Sequence, residues 1–116
     1  MFLQLAHTQK NVFQESKKFT LECYRVTKDF PTDEKFAMVQ QIRRAALSTH
    51  LNIAEGCSRK SEKERKRFFE ISRGSVIEVD TALDIAQELN YKTVEELQKL
   101  GTYLVSTFKQ LTGLIG

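Results

Sequence analysis

Hydrophobic positions in this chain recur every three or four residues in four separate stretches. No segment alternates with the two-residue period of a half-buried strand. Val12, Ser16, Phe19, Cys23, Val26 and Phe30 are spaced 4, 3, 4, 3, 4 and predict a first helix over 9–29. Val39, Ile42, Ala46, Thr49 and Ile53 line a second. Phe68, Ser72, Ser75, Val79, Ala82, Ala86 and Leu89 line a third, whose small members let a neighbouring helix approach closely. Leu97, Leu104, Phe108, Leu111 and Ile115 form the inner face of a fourth.

Punctuation between the stripes supports the same division. Thr8 stands where the first helix needs an N-cap, and Pro31 forces the residue before it out of the helical region. Thr32, followed by Asp33 and Glu34, is expected to cap the second helix, which should end near Gly56, with Asn52 and Glu55 as polar groups for the turn. Ser61 with Glu64, and Thr93 with Glu96, have the spacing of capping boxes, and Asn90 suits a left-handed stop between them. Short connections make successive helices antiparallel. The predicted architecture is therefore an all-α, up-down-up-down four-helix bundle, with residues 1–116 as one domain.

Composition narrows the classes further. One Pro and five Gly in 116 residues are too few for the turns of an all-β chain, and a hydrophobic fraction of 41% excludes intrinsic disorder. Cys23 and Cys57 are far apart in sequence, with no Cys or His at ligand spacing, so no metal site and no cofactor is expected. The N-terminus lacks the features of a secretory leader, and no run approaches the roughly 18 apolar residues of a membrane span. A soluble cytoplasmic protein with reduced thiols and no membrane partner is the expectation.

The net charge of +3 conceals an uneven distribution. Residues 59–73 hold seven basic against three acidic side chains, whereas residues 74–116 hold three basic against six acidic. Arg59, Lys60, Lys63, Lys66, Arg67 and Arg73, with Arg44 as an addition, are the candidate nucleic-acid-binding residues. Lysine and arginine at a helix N-terminus suit phosphate oxygens. A solvated helix face laced by pairs such as Glu62 with Lys66 is the competing account of the same residues. Phe68 and Phe69 are expected to point towards the core, which favours backbone or shape recognition over base stacking.

Three further features stand out. Arg43 falls towards the apolar arc of the second helix and needs a partner, for which Glu78 is the candidate in a structural ion pair. His50, seven residues before Cys57, reads as a satisfied interior histidine, since no third member completes a catalytic set. No catalytic residue is assigned. Leu21, Leu51 and Ile77 face outward on three different helices and predict a subunit interface. A non-enzymatic nucleic-acid-binding assembly and a protein-interaction scaffold both remain open.

Gln41-Ile42-Arg43-Arg44-Ala45-Ala46-Leu47-Ser48, then Asn52-Ile53-Ala54-Glu55-Gly56, resembles the 23S ribosomal RNA intervening-sequence family. The resemblance continues through Arg59-Lys60-Ser61-Glu62-Lys63-Glu64, Arg67-Phe68-Phe69, Gly74-Ser75, Glu78-Val79-Asp80-Thr81 and residues 85–91, and spans roughly 12–113. It implies a bacterial helical bundle that assembles as a ring, a homopentamer. The accessory variability proteins of diversity-generating retroelements are similar, and they imply nucleic acid and a reverse transcriptase as partners. Members commonly carry a proline after the Ala-Ala pair; Ser48-Thr49-His50-Leu51 has none, so a straighter second helix is expected.

Overall fold

The computed structural model describes residues 2–116. Four helices account for most of it: α1 (Asn11–Val26), α2 (Met38–Ser58), α3 (Glu62–Glu88) and α4 (Gln98–Ile115), with short 3-10 turns at Ala6–Gln9 and Thr32–Glu34. Each helix packs on its sequence neighbours, α1 also packs on α4, and α1 and α3 lie on a diagonal. The antiparallel four-helix bundle is therefore as the periodicity predicts. Its topology places the start of α1, the end of α2, the start of α3 and the end of α4 at one end.

The first two stripes are buried throughout, from Val12 to Phe30 and from Val39 to Ile53. Hydroxyls enter them because each returns its proton to a carbonyl of its own helix. Ser16 Oγ donates to the Phe13 carbonyl at 3.0 Å, and Thr49 Oγ1 to that of Ala45 at 3.0 Å. On α3 the core column differs from the prediction. Phe69, Val76 and Leu83 are buried, whereas Phe68, Ser75 and Ala82 are half-buried and Leu89 is exposed. Both columns flank Ser72, Val79 and Ala86. The one with the larger apolar volume turns inward, because more area then leaves water. Leu97, at the N-cap of α4, and Leu104 and Leu111 within it are buried as expected, joined by Leu100 and Thr107, while Phe108 and Ile115 are half-buried.

Helix ends agree where a side-chain cap forms and shift where it does not. Ser61 Oγ accepts from the Glu64 amide at 3.0 Å. Thr93 and Glu96 close both bonds of their box, at 2.9 and 3.1 Å, one turn ahead of α4. Asn90 has φ 62°, and the amides of Asn90 and Tyr91 return to the carbonyls of Gln87 and Ala86. Thr32 caps nothing: it opens a 3-10 turn, and α2 begins only at Met38. Thr8 does not cap α1 either, since its hydroxyl donates to the Leu5 carbonyl at 2.7 Å.

Gly56 does not stop α2, which runs on to Ser58; its role is packing. Asn52 accordingly donates to the Ser48 carbonyl, and Glu55 pairs with Arg59. A Cβ on Gly56 would sit 2.7 Å from Phe69 Cε1 and 3.2 Å from the Arg65 carbonyl oxygen. Gly56→Ala should therefore cost about 1–3 kcal/mol in a urea titration, as overpacking does. Gly74 is exposed within α3 with nothing within 4 Å of a built Cβ. Gly74→Ala should raise stability by roughly 0.5–1 kcal/mol, the ordinary helix preference of alanine.

Candidate nucleic-acid interface

The close approach of α2 and α3 leaves only residues 59–61 to connect them. Arg59 and Ser61 are extended, with φ,ψ of −83°,147° and −81°,140°. Arg65 reaches back from the first turn of α3 and donates through Nη1 to the carbonyls of Arg59 at 3.1 Å and Lys60 at 2.7 Å. That clamp orders the connection and presents its side chains to solvent at one end of the bundle.

Here the cations are gathered but not idle. Arg59 pairs with Glu55 at 2.8 Å, Lys66 with Glu62 at 3.3 Å and Arg67 with Glu64 at 2.9 Å. The Arg67 hydrogen bond holds the Glu64 carboxyl below the usual carboxylate range. Lys60 and Lys63 have no ion pair among the described residues. All these pairs are open to solvent, so an incoming phosphate can displace the carboxylate without a buried charge being left behind. Phe68 departs from its expected core position. The guanidinium of Arg59 lies 4.9 Å from its ring centroid and that of Arg67 4.5 Å, one aromatic ring aligning two cations.

Topology adds groups that the local sequence did not single out. Lys10, at the start of α1, joins Arg65 and Lys66 around a cavity of about 190 Å³ that also reaches Cys57 and Glu62. The antiparallel arrangement of four helices, applied to charges as well as to the core, was the available signal. Arg73 lies farther along α3, where its guanidinium donates to Thr112 Oγ1 at 3.4 Å. Arg44 is not brought to this end, because the 15 residues to Arg59 amount to about 22 Å of helix.

The model of the 23S rRNA-intervening sequence protein family matches residues 8–113 of the chain. The chain belongs to this family. A protein of unknown function from the S23 ribosomal protein family of Bacteroides thetaiotaomicron is similar in fold, with a TM-score of 0.80 over 90% of this chain and 97% of that one, at 21% identity. No curated protein matches the chain.

Arg43 does not pair with Glu78. Its Nε donates to Thr27 Oγ1 at 2.9 Å, its Nη2 to the Tyr24 carbonyl at 3.2 Å, and its guanidinium stacks 5.0 Å from the Tyr24 ring centroid. The side chain turns to α1, where fixed acceptors wait, and Glu78 instead accepts from Gln41. Burial raises the thiols of Cys23 and Cys57 above the usual range, so neither is an activated nucleophile. Among the described residues, no group of three or more His, Cys, Asp or Glu is placed to hold a metal ion. No helix of the described chain is long and apolar enough to cross a membrane. Leu21, Leu51 and Ile77 are 59%, 53% and 50% exposed, as their outward positions predict.

His50 is an interior histidine, with Nδ1 2.7 Å from Ser16 Oγ and its ring 4.4 Å from that of Phe13. Burial, followed by the charges of Lys17 and His7, lowers its pKa. The unfolded chain therefore takes up this proton first as pH falls. The associated stability is complete above the ordinary histidine value of about 6.5 and is lost as pH drops through the folded-state value. The urea midpoint should fall between pH 7.5 and 5.5, and His50→Asn should flatten that decline.

Proposed function

We propose that this protein is a non-enzymatic, ring-forming helical bundle that binds structured nucleic acid, RNA before DNA, through phosphate contacts at the start of α3. One observation carries the reading: the fold gathers Arg59, Lys60, Lys63, Lys66 and Arg67, with Lys10 beside them, at a single solvent-open end. Arg73 extends this surface along α3, while Arg44 belongs to a different region. An aromatic ring covered by two guanidiniums suits phosphate contact better than base stacking at this end.

Assembly is part of the proposal, because one copy's patch is modest and linked copies act at high effective concentration. The outward aliphatics support it. Leu21 on α1 and Ile77 on α3 lie on diagonal helices, so they belong to two different faces. A contact between unlike faces, repeated, closes a ring when the rotation per copy permits. Native mass spectrometry should show a pentamer, and Leu51→Glu with Ile77→Glu should reduce it to monomer. A wild-type monomer at cellular protein concentration would contradict the assembly.

A second reading has an observation of its own. Between α3 and α4 runs a groove of about 600 Å³, with Leu83, Leu100 and Leu104 in its lining beside Asp80, Asp84 and Glu95. A basic amphipathic helix of a partner protein, such as a reverse transcriptase, has the complementary chemistry, and the chain would then act as a scaffold.

A salt titration of binding to a structured RNA separates the two. Affinity should fall steeply with ionic strength. Lys63→Glu, Lys66→Glu and Arg67→Glu together should weaken binding and reduce the log–log salt slope by about one for each phosphate no longer held. Absence of binding at low salt, or binding indifferent to salt, overturns the nucleic-acid reading. A protein partner that survives both nuclease and these charge reversals would establish the scaffold.

A further inference from the structure

The other end of α2 carries a cluster of different chemistry. Phe36, in the connection from α1, is 82% exposed, with Lys35 Nζ 5.4 Å from its ring centroid. Its ring borders a cavity of about 370 Å³ shared with Tyr24, Lys35, Arg43 and Arg44. A second cavity of about 230 Å³ shares Lys35, Val39 and Arg43 with the first and adds Lys28. Together the two are bordered by four cations, Lys28, Lys35, Arg43 and Arg44. None of the nearby carboxylates Asp29, Asp33 and Glu34 lines either part: Asp29 pairs with Lys92 at 2.7 Å, and Glu34 accepts from the Tyr91 hydroxyl at 2.7 Å.

The parts of this cluster differ in how firmly they are held. Arg43 is fixed by Thr27, the Tyr24 carbonyl and the Tyr24 ring, and so forms a rigid cationic wall. Among the described residues, the Arg44 side chain has no hydrogen bond or ion pair, and that of Lys35 makes only its contact with Phe36. A solvent-exposed ring, contacted only by Lys35 and set beside an unpaired Arg44 and a fixed Arg43, is an arrangement that takes an unpaired base on the ring and its phosphates on the side chains. The start of α3 lacks this arrangement, because Phe69 is buried there and Phe68 is already covered by two arginines.

We propose that the corner formed by Tyr24, Lys35, Phe36, Arg43 and Arg44 is a second nucleic-acid site, which binds a single-stranded segment by stacking an unpaired base on Phe36. The proposal deepens the nucleic-acid reading and rests on it. It also gives Arg44 a place, about 22 Å along α2 from Arg59.

The chain contains no Trp, so Phe36→Trp supplies a single tryptophan, excited selectively over the three tyrosines, at the proposed contact. Single-stranded RNA decamers should quench it, and an abasic strand of equal length, carrying the same phosphates, should not. The wild type should bind the base-bearing strand about tenfold more tightly than the abasic one, within the range that one stacked base provides. Phe36→Ala should erase that difference and Phe36→Tyr should keep it. Equal affinity for the two strands, or a preference that survives Phe36→Ala, overturns the site, as does equal quenching by an acidic peptide. A fully paired RNA duplex, with no unpaired base to stack, should bind equally well to the wild type and to Phe36→Ala. Duplex binding without a Phe36-dependent preference for the base-bearing strand rejects only this inference, whereas failure of every RNA to bind rejects both.

Discussion

The seam between α2 and α3 is the contact on which the rest of the molecule depends. Phe69 lies against the bare backbone of Gly56, at a distance that excludes any side chain there. Ser72 continues the seam as a buried small residue. Ser72 Oγ donates to the Thr49 carbonyl at 2.7 Å, and Ser75 Oγ meets Ser48 Oγ at 3.0 Å, so polar bonds fix the register that the small residues permit. Because the two helices run so close, three residues suffice to join them, and Arg65 can reach the carbonyls of that joint. The basic end is thus a consequence of core packing. A bulkier seam would spread the helices and, with them, the cations.

Charge is separated along the molecule more than its total suggests. The start of α3 is rich in Lys and Arg, and the α3–α4 groove is bordered by Asp80, Asp84 and Glu95. The corner around Phe36 is bordered by cations. A net charge of +3 says little about any of these regions, because a field is felt over roughly one Debye length, about 8–10 Å at ordinary salt. What a partner meets is a local patch. In a ring the same patch would recur at fixed spacing.

Legibility in the sequence followed the range of the interaction involved. The stripes of α1 and α2, the Ser61 and Thr93 boxes and the left-handed Asn90 are set by residues within one or two turns, and they stood in the sequence. Gly56 looked like a helix stop because its reason is a ring 13 residues away. The inward column of α3 is ambiguous locally because Phe68 and Phe69 are both aromatic, and only the volumes of Val76 and Leu83 decide which column turns inward. Arg43 is bonded to residues 16 and 19 positions earlier, beyond any local rule. Lys10 and Phe36 carry no local signal for the same reason: a lysine before α1 and a phenylalanine in a turn acquire meaning only from what the fold sets beside them.

The start of α3 is the proposed contact for structured RNA, and amide hydrogen exchange tests it residue by residue. Between the free protein and its complex with a blunt RNA duplex at low salt, exchange should slow around residues 59–67 and at Lys10. Exchange along the α3–α4 groove, near 94–101, should be unchanged. Protection confined to the groove, with residues 59–67 unaffected, would contradict an interface at the start of α3.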